Sequence, residues 1–265
     1  MSYATILTEL KESVFILTLN RPEAMNAFDR EMIREVSSAL ENAEKEEEVK
    51  VVIITGKGKA FCAGADLREI TSFLEGSHVK SLDFDNFSQT LNGMLEKIQK
   101  LRKPVIAAIN GHALAGGLEL AMVCDLAVCA ANAKLGDQHA NVGLIPGSGG
   151  SQRLPRLIGL RKAMELLLTG DTISAEEAER LGLINKVVRP EELLEASMEL
   201  AGKIAKKSPL VSRALKTLVY QGIEVGLDTA LELERGALVR HHSTQDMREG
   251  IQSFLEKRKP VFTGR

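Results

Sequence analysis

The sequence predicts an α/β fold built on a largely parallel sheet, and three observations predict it. Short apolar runs recur along the chain, at Val14–Asn20, Val51–Gly56, Val105–Ile109, Asp125–Ala130 and Leu183–Val188. They are rich in β-formers, and their length and continuity suit buried strands. Segments of helical period separate them, and strand–helix–strand order is that of crossovers joining parallel neighbours. Beyond Pro190 the strand signal stops, and helices are expected to about Lys259.

Composition bounds the function. At 265 residues, 44% hydrophobic and 26% charged, the chain can build a sizeable core. A net charge of −2 gives no broad basic surface, so nucleic acid is not an expected partner. No apolar run reaches ~18 residues, so no membrane span is expected. The three cysteines, Cys62, Cys124 and Cys129, form no C-x-x-C pair. Met1-Ser-Tyr-Ala lacks the basic start and apolar core of a secretory leader. Together these point to a reducing cytoplasm. The composition shift near Arg189 divides the chain into 1–189, a core, and 190–265, a helical region.

Taken in order, Val14–Asn20 is a strand that Arg21-Pro22 ends. Asp29 is a candidate N-cap for a helix with Met32, Ile33, Val36, Leu40 and Ala43 on one face. The charged run 44–48 closes it as a solvated face. Val51–Gly56 is the next strand. In the following stretch, Gly64 lies between a strand and a helical pattern, which makes the N–H near Ala65 a candidate backbone donor, with Asp66 as a possible cap. Residues 72–81 read as a mobile loop. Phe84, Phe87, Leu91, Met94, Ile98 and Leu101 then recur at helical spacing, and Pro104 stops that helix.

The central stretch is Asn110–Asp125. After the strand Val105–Ile109 come two glycines, Gly116 and Gly117, and an apolar segment holding one carboxylate, Glu119. Glycine lets backbone approach a ligand closely, and the first N–H groups of a helix lack internal partners and carry the positive end of its dipole. The N–H near Gly116 can therefore face an oxygen that becomes negative during a reaction. Glu119, among Leu118, Leu120, Ala121, Met122, Val123 and Cys124, has little polar surface to occupy. A buried carboxylate of this kind suits acid–base work. Donors near Ala65 and Gly116 converging on one oxygen would form an oxyanion hole.

Asp125–Ala130 is another strand. His139 follows in a polar cluster with Asp137, Gln138 and Asn141, between two apolar stretches. The glycines at 147, 149 and 150 are neither a P-loop nor a nucleophile elbow, because Lys-Ser/Thr does not follow and no strand runs into them. Ile158, Ala163, Leu166 and Leu167 mark a helix, and Ser174–Glu177 is a capping box opening another. His241 and His242 are adjacent, so on a helix they face different directions, and no metal site is expected.

Five segments carry a resemblance: Phe61–Glu69, Pro104–Gly111, Ala115–Ala121, Ile145–Leu154 and Leu168–Gly170. In this order they resemble the enoyl-CoA hydratase/isomerase (crotonase) family, over essentially the whole chain. The resemblance implies a spiral of ββα units with C-terminal helices that pack into a homotrimer or a dimer of trimers. It implies an acyl-CoA thioester as substrate and no cofactor beyond the CoA that arrives with it. By motif position, the N–H groups of Ala65 and Gly116 would form the oxyanion hole. Ala24, Met25, Asp66, Leu67 and Arg68 would lie along the CoA. Glu119 would be the first of the family's two hydratase carboxylates, and the implied reaction is hydration of a 2-enoyl-CoA to a 3-hydroxyacyl-CoA.

One position departs from the family's pattern. Counting back from Gly143–Gly147, the second hydratase Glu falls on His139. An imidazole still transfers protons but does not carry a carboxylate's charge. Double-bond isomerisation and acyl-CoA hydrolysis are therefore alternatives, and a CoA-binding scaffold without turnover is a third.

Overall fold

The computed structural model describes residues 3–74 and 78–265. A six-stranded sheet runs in the order β1 (Ile6–Lys11), β2 (Val14–Leu19), β3 (Val51–Gly56), β5 (Val105–Ile109), β7 (Leu126–Ala130) and β10 (Lys186–Val188). Only the β1–β2 hairpin is antiparallel; the remaining neighbours are parallel. A second sheet of four short strands has the order β4 (Ala60–Cys62), β6 (His112–Leu114), β8 (Lys134–Gly136) and β9 (Ile173–Ser174).

The two sheets are built by one repeated unit. β3, β5 and β7 are each followed within a few residues by a strand of the small sheet, β4, β6 and β8, and then by helix. The helices after β4 are α2 (Leu67–Leu74) and α3 (His78–Lys100). After β6 comes α4 (Gly116–Val123); after β8, a 3-10 turn at His139–Val142 and then α5 (Gly150–Ile158) and α6 (Leu160–Thr169). This is a spiral of ββα units.

Both faces of the central strands β2, β3, β5 and β7 are largely buried, which is why these strands read as unbroken apolar runs. Along β2, β3 and β5 the side chains alternate between two clusters. Leu17, Leu19, Val52, Ile54, Ala107 and Ile109 join the larger one, with α1 (Arg30–Lys45), α3 and α4. Ile16, Val51, Ile53, Ile106 and Ala108 join the smaller one, closed by Leu193 and Ala201 of α8 (Leu193–Ala205). The α1 face read from sequence is buried as expected, and Asp29 caps it by accepting from the Met32 N–H at 2.8 Å.

Several expectations need correction. The loop over 72–81 is helical through Leu74 and again from His78, and 75–77 lie outside the described residues. The strand feeding Gly116 is β6 of the small sheet, not Val105–Ile109. The helix around Ile158 and Leu166 is two helices, broken where Gly159 takes φ +81°. Ser174 caps α7 (Ala175–Arg180), but Glu177 turns to Arg180 rather than closing the box. The last strand begins at Lys186, after a turn.

The chain finishes with α9 (Pro209–Gly222), α10 (Leu227–His241) and α11 (Gln245–Leu255). Lys216 of α9 ties this region to the core. Its ammonium reaches the Asp125 Oδ2 at 2.8 Å, where both side chains are largely buried.

Candidate active site

Two backbone N–H groups lie side by side at the start of α4. A parallel bridge joins Phe28 to Ala65: the Phe28 N–H donates to the Gly64 carbonyl at 2.7 Å, and the Asp66 N–H donates to the Phe28 carbonyl at 2.8 Å. The bridge uses the groups on either side of Ala65 and leaves the Ala65 N–H without a backbone acceptor among the described residues. The Gly116 N–H opens α4 and likewise has none.

Glycine is needed where these segments touch. A Cβ on Gly64, whose φ is +96°, would lie 2.8 Å from the Gly116 nitrogen. A Cβ on Gly116 would lie 3.1 Å from the Gly64 Cα and 3.6 Å from the Ala65 nitrogen. The donors are therefore neighbours, as the sequence suggested but could not establish. Their aim has a backbone cost. Ala115 sits at φ 48°, ψ −119°, a conformation L-residues rarely adopt, held by its N–H bond to the Gly136 carbonyl at 2.9 Å. Strain of this kind is of order 1–3 kcal/mol and persists where the surroundings over-determine it.

Glu119 is 1% exposed. Its Oε1 accepts from the Ser148 N–H at 2.8 Å and the Gly150 N–H at 2.7 Å, at the N-terminus of α5. Burial raises its pKa; the Gly150 and Ser148 amides and the charge of His139 oppose that rise, and Asp137 adds to it. The result is a carboxyl held in place yet more basic than a solvated one.

His139 stands at the start of the 3-10 turn. Its Nδ1 lies 2.8 Å from the Asp137 Oδ1, which also accepts the His139 backbone N–H at 3.3 Å. A carboxylate accepts only, so Nδ1 carries the hydrogen and Nε2 is the nitrogen left for the cavity. Burial pulls the His139 pKa down, but hydrogen bonding and charge from Asp137, with Glu119 beyond it, leave it raised overall.

These groups share one cavity of about 260 Å³. Ala65, Gly116, Glu119 and His139 line it, Phe87 and Leu91 are buried in its wall, and Met25, Leu67, Phe84 and Ile145 are exposed around it. Of the positions expected along the CoA, Met25 and Leu67 thus face the cavity. Ala24, Asp66 and Arg68 do not line it: Asp66 accepts from Arg21 at 3.0 Å, and Arg68 is exposed beside it. Asp137, fully buried, stands out in the sequence only as part of the polar cluster around His139, with no role of its own there. The chemistry available is polarisation of a carbonyl by two fixed N–H donors, with a carboxylate and an imidazole next to it to move protons.

The family model described as enoyl-CoA hydratase/isomerase matches residues 9–265. The chain is 42% identical over 263 residues to a crotonyl-CoA hydratase of Syntrophomonas wolfei, covering 99% of each chain. It is 38% identical over 260 residues to a short-chain-enoyl-CoA hydratase of Clostridium acetobutylicum, covering 98% of this chain and 97% of the other. Among solved structures, an enoyl-CoA hydratase from Bacillus anthracis superposes with a TM-score of 0.93 at 39% identity, over 99% of this chain and 100% of that one.

Proposed function

The chain belongs to the enoyl-CoA hydratase/isomerase family, and from that premise we propose that it adds water across the C2–C3 double bond of a short 2-enoyl-CoA, yielding the 3-hydroxyacyl-CoA. The fold is that family's crotonase spiral, and the chain is a carbon–oxygen lyase. One observation carries the mechanism: Ala65 and Gly116, whose N–H groups have no backbone acceptor among the described residues, line the same cavity as Glu119 and His139.

The thioester oxygen sits between the Ala65 and Gly116 N–H groups. Glu119, as carboxylate, takes a proton from water while the water oxygen bonds to C3. The double-bond electrons move to C2 and the thioester oxygen, and the two donors stabilise that enolate. Removing one donor of this type costs about 2.7–4 kcal/mol. His139, as imidazolium, gives its Nε2 proton to C2. The proton left on Glu119 then returns to His139, so one water is consumed and no charge accumulates. Isomerisation and hydrolysis are not favoured, since the named relatives are hydratases and both acid–base groups are present for addition.

Met25 and Leu67 lie where the CoA chain would leave the cavity, with Ala24, Asp66 and Arg68 beside them along its path. Residues 1–189 form the catalytic core, and 190–265 supply α8 to the sheet and three further helices for assembly. A homotrimer or dimer of trimers is supported by the apolar side chains those helices expose, including Leu215, Val219, Leu231, Leu238 and Phe254. The reaction needs no redox change, so CoA within the substrate suffices, and we place the enzyme in the cytoplasm, without membrane or nucleic-acid partners. The test is incubation with crotonyl-CoA. A product heavier by one water supports hydration; unchanged mass or release of free CoA rejects it.

A further inference from the structure

The site contains a third ionisable side chain that the hydration scheme has not used. Asp137 follows β8 directly, and its backbone is fixed. The preceding Gly136 takes the Ala115 N–H, and a Cβ on Gly136 would lie 2.6 Å from the Asp171 carbonyl oxygen. The Asp137 side chain is buried, with Oδ1 on His139 and Oδ2 without any partner among the described residues. Oδ2 and the Glu119 Oε1 flank the same glycine: a Cβ on Gly150 would lie 2.5 Å from Oδ2 and 3.3 Å from Oε1. A buried carboxylate with one empty oxygen is costly unless an opposite charge faces it. His139 is the group placed to supply that charge.

The charged groups around the imidazole are few. Asp137 faces it from the end of β8 and Glu119 from α4. From the segment leading into α5 come the Ser148 and Gly150 N–H groups, already held by Glu119, while Arg153 turns away to the Ser148 carbonyl and Gln99. Two carboxylates and one imidazolium leave one net negative charge. Two carboxyl groups sharing one proton leave the same.

We propose that Asp137 is a positioning residue for the hydration. It accepts a hydrogen bond from the Nδ1–H of His139, fixes Nε2 toward the cavity as the proton donor to C2, and keeps the ring paired as an imidazolium opposite Glu119. This rests on the hydratase reading above. The Asp137–His139 pair thereby stands in for a protonated carboxylic acid, which explains how an imidazole occupies this position without changing the charge of the site. The proton delivered to C2 leaves from Nε2, and Nδ1 keeps its own hydrogen bond to Asp137.

The test is Asp137→Asn, which keeps the size and an oxygen for Nδ1 but removes the charge. Turnover of crotonyl-CoA is expected to fall ~10–10³-fold in kcat with KM changed less than ~3-fold, as when the orienting partner of a catalytic imidazole is lost. Both limbs of the kcat/KM profile should move to lower pH, because Asp137 raises the pKa of His139 and of Glu119. In a His139→Gln background the same change should cost little more. Unmoved pH limbs, or an equal loss in both backgrounds, would overturn the proposal. Nitrogen NMR of the histidine rings in the unaltered enzyme reads the pair without any variant at Asp137, with His139→Gln assigning the signal. A ring that keeps Nδ1–H in both protonation states is expected, and a neutral ring protonated at Nε2 would refute it. If the unaltered enzyme fails to hydrate crotonyl-CoA, the hydratase reading fails, and the NMR result still decides the Asp137–His139 pairing.

Discussion

Gly64→Ala probes the two-donor arrangement most sharply. The residue holds φ +96°, where an alanine carries backbone strain of about 1–3 kcal/mol. The new methyl would lie 2.8 Å from the Gly116 nitrogen and 3.1 Å from the Ala115 Cβ, neither of which is a flexible side-chain end. It wedges the two segments apart, so at least one donor loses its aim on the thioester oxygen. Loss of one such donor costs about 2.7–4 kcal/mol of transition-state stabilisation, or about 10²–10³ in rate. Because the bond strengthens as the enolate forms, kcat and kcat/KM should fall together. The assay is loss of conjugated enoyl-thioester absorbance from crotonyl-CoA. Gly182→Ala is the control: φ is +77°, with no atom within 4 Å of the added Cβ. It should lower the melting temperature and leave turnover within ~3-fold of the unaltered enzyme. A Gly64→Ala enzyme that loses stability but keeps its kcat would refute a catalytic role for the paired N–H groups.

Other outcomes follow from the same geometry. Ala115→Gly relieves a positive-φ alanine and should stabilise by about 1 kcal/mol, after the entropy cost of glycine, raising the melting temperature by about 2–4 °C with activity retained. Glu119→Gln keeps an oxygen for the Ser148 and Gly150 N–H groups, so the melt should barely move while kcat drops ~10²–10⁴-fold. The kcat/KM profile of the unaltered enzyme should be bell-shaped. Activity is lost as pH falls through the raised pKa of Glu119, which must be ionised, and as pH rises through the raised pKa of His139, which must be protonated. Lys216→Met strands the buried Asp125 carboxylate and should cost about 3–5 kcal/mol in denaturant unfolding, with kcat unchanged in the folded fraction.

Much of this site is legible in the sequence because its parts are local. A lone carboxylate among Leu118, Leu120 and Val123 must be buried, and Gly64 and Gly116 each mark a backbone that something approaches closely. The long-range facts are not legible. β4, β6 and β8 are three residues each, too short to show a period, so the small sheet that carries Ala65 and Gly116 escapes pattern reading. β1 buries only its first residue and resembles a polar loop. Phe84 keeps helical register with the core residues of α3, yet it is exposed at the cavity. Asp137 looks like any polar loop residue; its burial depends on Gly150, which lies beyond a 3-10 turn and leaves room for a carboxylate only because it has no side chain.

The most direct measurement is crotonyl-CoA turnover by the unaltered enzyme, Glu119→Gln and His139→Ala side by side. Hydration through this pair requires a fast unaltered enzyme, a product heavier by one water, and a loss of at least ~10²-fold in each variant. A His139→Ala enzyme as fast as the unaltered one, or an unaltered enzyme that binds crotonyl-CoA without adding water, would contradict it.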